Sequence, residues 1–69
     1  MPLSARNQLI GTVTALKTDA IMAEVVVTLK GGEELVSVIT AASVERLALK
    51  VGKEVTVVIK STGVMLATD

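Results

Sequence analysis

Hydrogen-bond donors are concentrated in three short fragments of an otherwise aliphatic sequence. The first fragment, Ser4-Ala5-Arg6-Asn7-Gln8, contains a hydroxyl, a guanidinium and two carboxamides but no acid. The other two, Thr40-Ala41-Ala42-Ser43 and Lys60-Ser61-Thr62, are likewise free of carboxylates. A deprotonated tetrahedral dianion only accepts hydrogen bonds, and charge-assisted hydrogen bonds are the strong class. We therefore predict that these fragments, from one chain or from two, surround a small oxyanion.

The charges and hydroxyls of these fragments match a doubly charged tetrahedral ion such as molybdate, tungstate or sulfate. Arg6 offers a planar guanidinium that can span two oxygens, and Lys60 supplies a compact point charge. Neutral donors come from four hydroxyl side chains, Ser4, Thr40, Ser43 and Ser61. Two charged hydrogen bonds at ~1.5–3 kcal/mol each, together with several neutral ones, reach the ~8 kcal/mol of micromolar binding.

The mid-chain fragment has a further feature, because Thr40 is a suitable N-cap for a short helix. Ala41, Ala42 and Ser43 then occupy the first turn, where backbone N–H groups lack partners within the helix. The first acid, Glu45, comes later, and the two alanines leave room for an anion to approach the backbone. The sequence therefore predicts a helix start that accepts an anion.

Each fragment also has an ordinary structural explanation. The first could be a solvated N-terminal arm, Thr40 and Ser43 could be a common capping pair, and Lys60 could be a surface lysine at a strand end. No fragment is specific alone, but their joint occurrence in a chain with few polar groups favours the oxyanion hypothesis. Two charged pairs are expected to be solvated and are assigned no chemistry: Glu33-Glu34 and Glu45-Arg46.

The composition excludes several function classes. Histidine and cysteine are absent, which removes the commonest general base and the usual metal-binding side chains. Aromatic residues are absent too, and seven basic residues balance seven acidic ones. Binding of nucleic acid on aromatic platforms in a basic groove is therefore disfavoured. We predict that the protein is not an enzyme and binds no nucleic acid, and a structural oligomer without a ligand stays open.

The aliphatic content predicts self-association. The 69 residues suffice for a single domain, predicted to span 1–69, yet 51% of them are hydrophobic. A core of this size buries only part of that apolar surface. No uncharged run approaches the ~20 residues of a membrane span, and the N-terminus does not resemble a signal peptide. We therefore expect a cytoplasmic homo-oligomer without a membrane partner.

Alternating β-branched and aliphatic residues predict five short strands. Their expected bounds are 9–16, 21–29, 35–40, 54–59 and 64–67, with a hairpin turn at Gly31-Gly32. A short helix over 41–47 is predicted between the third and fourth strands. This order is typical of an all-β fold, an OB-like five-stranded barrel with one short helix.

The positions of these fragments resemble those of the molbindin (Mop) family, whose module also occurs in molybdate-sensing regulators and transporter ATPases. The resemblance covers nearly the whole chain and is carried by four strings: Ser4-Ala5-Arg6-Asn7-Gln8 before Gly11, Ile39-Thr40 with Ser43, Gly52-Lys53-Glu54, and Lys60-Ser61-Thr62. It implies a strand-exchanged oligomer, a hexamer in this family, with oxyanions bound between subunits. The implied ligand-binding positions are Ser4, Ala5 through its backbone, Arg6, Thr40, Ser43, Lys60 and Ser61.

The resemblance implies intracellular binding of molybdate, or of tungstate, for storage or homeostasis. The length of one module favours a free-standing molbindin over a regulator or an ATPase. The family also has a second kind of site near a symmetry axis, and the resemblance does not place its residues here. The alternatives are a purely structural oligomerisation module and an OB-type nucleic-acid binder.

Overall fold

A four-stranded antiparallel sheet carries one short helix in the computed structural model, which describes residues 2–69. The elements in chain order are strands β1 (Asn7–Thr18), β2 (Met22–Leu29) and β3 (Glu34–Thr40), helix α1 (Ala41–Arg46), strand β4 (Glu54–Ile59) and a 3-10 turn (Ser61–Gly63). The strand order across the sheet is β3-β2-β1-β4. The all-β class, the four strands through β4 and the single helix after β3 agree with the prediction.

The long strand β1 connects the two halves of the sheet. Its first half pairs with β4, from Asn7–Ile59 to Thr12–Glu54, and its second half pairs with β2. The register of the second pairing shifts between Val13 and Ala15, which is a β-bulge. A bulge bends a strand and increases its twist. The sheet therefore curls, and both of its edge strands line the same apolar cavity of about 170 Å³.

A small aliphatic core lies on the concave side of this sheet. Strand β2 contributes Ala23, Val25 and Val27 by strict alternation, as the sequence pattern predicts, and Val13 and Val44 complete the buried set. Helix α1 contacts the core through Val44. Many other aliphatic side chains stay exposed in the single chain, including Val36 and Val38, both 63% exposed on edge strand β3.

Helix α1 ends one residue earlier than predicted, in a backbone arrangement that usually requires glycine. Leu47 is the C-cap, and Ala48 follows with a φ of 53°. The Ala48 N–H donates to the Glu45 carbonyl at 3.0 Å, and the Leu49 N–H donates to the Val44 carbonyl at 3.0 Å. This pair of bonds is the Schellman motif, in which the left-handed position costs a non-glycine residue free energy.

The fifth strand, predicted over 64–67, does not form within the chain. The residues after the 3-10 turn pair with no strand among residues 2–69, and Met65 and Leu66 are 92% and 93% exposed. A strand needs a neighbouring strand to bond its backbone, and residues 64–67 have no such pairing. The single chain is therefore an open, curled sheet of four strands and not a closed five-stranded barrel.

Candidate functional site

The first and last donor fragments lie side by side at one end of β1. The outermost pair between β1 and β4 joins Asn7 and Ile59, so Arg6 and Lys60 occupy the next position along the two strands. Both cationic side chains are exposed. The adjoining cleft contains no carboxylate and is lined by Arg6, Asn7, Gln8, Leu9, Ile59 and Val64. Lys60 lines a second cleft, between β3 and β4, which also contains no carboxylate. The two positive charges therefore lie at the same end of the β1–β4 pair, each beside an acid-free cleft.

Local hydrogen bonds fix the backbone on both sides of this surface. The Gln8 side chain donates from Nε2 to the Ala5 carbonyl at 2.8 Å, which folds the N-terminal fragment onto the start of β1. On the other side, the Gly63 N–H donates to the Lys60 carbonyl at 2.9 Å and closes the turn that carries Ser61. Ser4 and Ser61 remain exposed beside the two cations. We call the group Ser4, Ala5, Arg6, Lys60 and Ser61 the cationic end.

The mid-chain fragment, residues 40–43, forms the predicted N-cap of α1. Hydrogen bonds within the chain occupy some of the donors that were expected to bind an anion. Thr40 Oγ1 accepts from the Ser43 N–H at 3.0 Å and donates to Ser43 Oγ at 2.8 Å. The Ala41 N–H donates to the Ile21 carbonyl at 2.8 Å. The first turn contains no acid, as predicted. Two of its backbone donors are nevertheless satisfied within the chain, which leaves the Ala42 N–H and the Ser43 hydroxyl.

Arg46 is a cation at this helix that sequence reasoning missed. Its guanidinium donates from Nη2 to Ser43 Oγ at 3.3 Å. The two residues are three positions apart on one helix, where side chains are neighbours. That spacing was visible in the sequence, but the adjacent Glu45 suggested an ordinary solvated pair. We call the group Thr40, Ser43 and Arg46 the helix end.

Asp19 fixes the position of the helix end. Its carboxylate oxygen Oδ1 accepts from the Ile21 and Met22 N–H groups, each at 2.8 Å. The same turn presents the Ile21 carbonyl that accepts the Ala41 N–H. The backbone hydrogen bonds from Met22 and Ile21 lower the pKa of Asp19 below its usual range. The carboxylate thus holds the start of α1 against the start of β2.

The cationic end and the helix end lie at opposite ends of β1 within one chain. Asn7 marks the cationic end, whereas Thr18 pairs with Ala23 beside the Met22–Thr40 pair at the helix end. Twelve residues of strand separate them, a contour of about 36 Å. Curling of the sheet shortens the direct distance, but an ion a few ångströms across does not reach both ends. Within one chain, only two of the three predicted fragments come together.

Two further findings bear on the type of site. Among residues 2–69, no three histidine, cysteine or carboxylate side chains are grouped so that they could hold a metal ion. Over the same residues, no helix has the length and apolar character needed to cross a membrane. Donor-rich, acid-free surfaces of this kind are suited to anions and not to bare cations.

The sequence and fold resemble those of proteins named for molybdenum. The model of the TOBE domain family matches residues 3–66. Molybdenum-pterin-binding protein 1 from Clostridium pasteurianum is 53% identical over 66 residues, which cover 96% of this chain and 97% of that protein. The apo structure of MopII from Clostridium pasteurianum has a TM-score of 0.91 at 48% identity, covering 97% of this chain and 100% of that one.

A molybdate-bound structure is also similar. The cytoplasmic molybdate-binding protein ModG has a TM-score of 0.81 and 43% sequence identity to this chain. The similarity covers 96% of this chain and 53% of ModG.

Proposed function

The chain belongs to the TOBE domain family, and to its molbindin (Mop) group; from this premise we propose that it binds molybdate as an intact oxyanion. The observation that carries the proposal is the cationic end, where the register of β1 and β4 places Arg6 next to Lys60 and each cation lines a cleft without a carboxylate. Molybdate is an acceptor-only dianion, so two neighbouring cations with hydroxyl donors complement it. Tungstate has the same charge and shape and is expected to bind at the same place.

The proposed site is built from two chains. Ser4, the Ala5 backbone, Arg6, Lys60 and Ser61 bind from one chain, while Thr40 and Ser43 bind from a second. The distance along β1 supports this division, because one chain places the two groups at opposite ends. Two chains related by a two-fold axis bring the cationic end of each to the helix end of the other. Such a pair contains two equivalent sites, or one per chain.

The exposed C-terminal tail supports a homo-oligomer assembled by strand exchange. Residues 64–67 form a short apolar run, Val-Met-Leu-Ala, that pairs with no strand among residues 2–69. A cleft between the edge strands β3 and β4 is lined by apolar side chains, among them Val36, Val38 and Val57. The proposed fifth strand of the barrel is the tail of a neighbouring chain seated in that cleft. Exposed aliphatic side chains outside that cleft, among them Ile10, Ile21 and Val51, support larger assemblies, up to the hexamer implied by the family.

The proposed role is storage or homeostasis of molybdate in the cytoplasm by a single domain over residues 1–69, without catalysis. The similar protein ModG is a cytoplasmic molybdate-binding protein, which supports the location. The absence of histidine and cysteine from the sequence supports a binding role over an enzymatic one. The absence of aromatic residues argues against the nucleic-acid alternative.

A purely structural oligomer is the second candidate, and the Thr40–Ser43 cap favours it because those hydroxyls already bond each other. Calorimetric titration with molybdate separates the two functions. We expect saturable heat with a Kd of about 1 µM or tighter and one ion per chain at this kind of site. Heat that does not saturate, or equal heat with sulfate at a Kd in the millimolar range, would leave only the structural role.

A further inference from the structure

The contacts of Ser43 determine where its hydroxyl hydrogen points. Ser43 Oγ accepts from the Thr40 hydroxyl at 2.8 Å and from Arg46 Nη2 at 3.3 Å. A serine hydroxyl has two acceptor lone pairs and one hydrogen to donate. Both lone pairs are occupied, so the hydrogen is directed away from Thr40 and Arg46 and remains available to an outside acceptor.

We propose that Arg46 is a binding residue of the oxyanion site, through its own charge and by orienting the Ser43 hydroxyl as a donor. This inference rests on the proposed molybdate function. Arg46 would be the third positive charge of the site, beside Arg6 and Lys60, and it lies at the helix end. Arg46 was assigned no role from the sequence alone, and its contact with Ser43 in the structure identifies it as a candidate binding residue.

The geometry brings this charge close to a bound ion. An oxyanion that accepts from Ser43 Oγ lies about 2.8 Å from that oxygen, and Arg46 Nη2 lies 3.3 Å from the same oxygen. The guanidinium is therefore at most about 6 Å from the nearest ligand oxygen. The neighbouring Glu45 does not cancel this charge locally, since adjacent helix positions face different directions.

The expected effect follows from Coulomb's law. A dianion and one cation about 6 Å apart attract each other even in a water-like medium strongly enough to change affinity about tenfold. A tetrahedral monoanion such as perrhenate gains only about threefold from the same cation. Arg46 therefore contributes to selectivity for divalent over monovalent tetrahedral oxyanions.

The test compares Arg46→Gln, Arg46→Lys and a control variant, Lys30→Gln, by calorimetric titration with molybdate and with perrhenate. Lys30 lies in the turn before β3, at the opposite end of that strand from Thr40, and its substitution makes the same change in net charge. We expect Arg46→Gln to weaken molybdate about tenfold and perrhenate about threefold, with a weaker dependence on salt. Arg46→Lys retains most of the affinity, and Lys30→Gln behaves as wild type.

Three results would overturn the inference, and they are distinguishable. Wild-type protein that fails to bind molybdate removes the proposed function and this inference with it. Wild-type binding with an unchanged Arg46→Gln variant removes Arg46 alone. Equal losses for molybdate and perrhenate in Arg46→Gln, with a lowered melting temperature, show that Arg46 only supports the helix.

Discussion

Two lysines near opposite ends of β4 are expected to separate binding from stability. Lys53 donates from Nζ to the Leu47 carbonyl at 2.7 Å and to the Ala48 carbonyl at 3.2 Å, so it caps the C-terminal end of α1. Lys60 follows the last residue of β4 and lies beside Arg6 on the cationic end. Methionine at either position keeps an apolar stem of similar length and removes the ammonium group, with its charge and its hydrogen-bond donors.

The expected loss of stability in Lys53→Met follows from the two hydrogen bonds that Lys53 donates. Bonds to a charged donor contribute ~1.5–3 kcal/mol each when well buried, and these are only partly shielded from solvent. We expect the free energy of unfolding to fall by about 1–2 kcal/mol, which lowers the melting temperature by roughly 4–16 °C for a domain of this size. Lys60 makes no such bond within residues 2–69, so Lys60→Met should melt within about 2 °C of wild type.

Molybdate affinity should show the reverse order, with Lys60→Met weakened more than Lys53→Met. Truncating a charged partner in a desolvated site costs ~2–5 kcal/mol, so Lys60→Met should weaken molybdate about 30-fold or more. Lys53→Met should retain the wild-type Kd at a temperature where it is folded. Thermal unfolding at one fixed protein concentration and calorimetric titration of both variants measure the two effects. Equal molybdate affinities for the two variants would remove Lys60 from the site, and an unchanged melting temperature for Lys53→Met would refute the capping role.

Three further substitutions are expected to have measurable effects. Arg6→Ala should weaken molybdate binding by ~2–5 kcal/mol while the oligomer persists. Equilibrium dialysis measures the affinity and sedimentation measures the oligomeric state. Wild-type affinity in this variant would mean that Arg6 belongs to a solvated arm. Ala48→Gly should raise the free energy of unfolding by about 0.5–1 kcal/mol, because glycine adopts the φ of 53° without strain. Denaturant unfolding measures this free energy. A destabilised variant would contradict the conclusion that Ala48 is strained. The lowered pKa of Asp19 means that its ionised form stabilises the fold, and this stabilisation is present above the unfolded-state pKa and lost as the pH falls through the folded-state pKa. Wild type should therefore melt above Asp19→Asn at neutral pH and converge with it as the pH falls through the lowered pKa of Asp19, and a difference that persists in stronger acid would contradict this assignment.

The features that depend on local sequence were predictable. The alternation in β2 identified its buried face, and Thr40 was recognised as the N-cap of α1 from its position before the alanines. Strand β1 is longer than its apolar residues indicated, because pairing with β4 extends it through the polar residues Asn7 and Gln8. Local propensity does not contain that information, since it comes from the partner strand.

The features that depend on other parts of the molecule, or on other chains, were not predictable in the same way. The tail at 64–67 is a short apolar run, but a strand forms only where another strand bonds its backbone, and this run pairs with none among residues 2–69. The separation of the donor fragments follows from the register of β1, which the sequence does not specify. Arg46 was overlooked because the adjacent Glu45 suggested a solvated ion pair, although the three-residue spacing from Ser43 on a helix was visible in the sequence.

Mixing two inactive variants tests the two-chain site most directly. One variant carries Arg6→Ala and Lys60→Met, which disable the cationic end, and the other carries Thr40→Ala and Ser43→Ala, which disable the helix end. In a mixed two-fold pair, one site combines both defects and the other combines two intact groups, so random pairing restores about one quarter of all sites. We expect co-refolded mixtures to recover that fraction of tight molybdate binding by equilibrium dialysis, while each variant alone recovers none. A co-refolded mixture that forms oligomers but binds no more molybdate than the separate variants would contradict a site shared between chains.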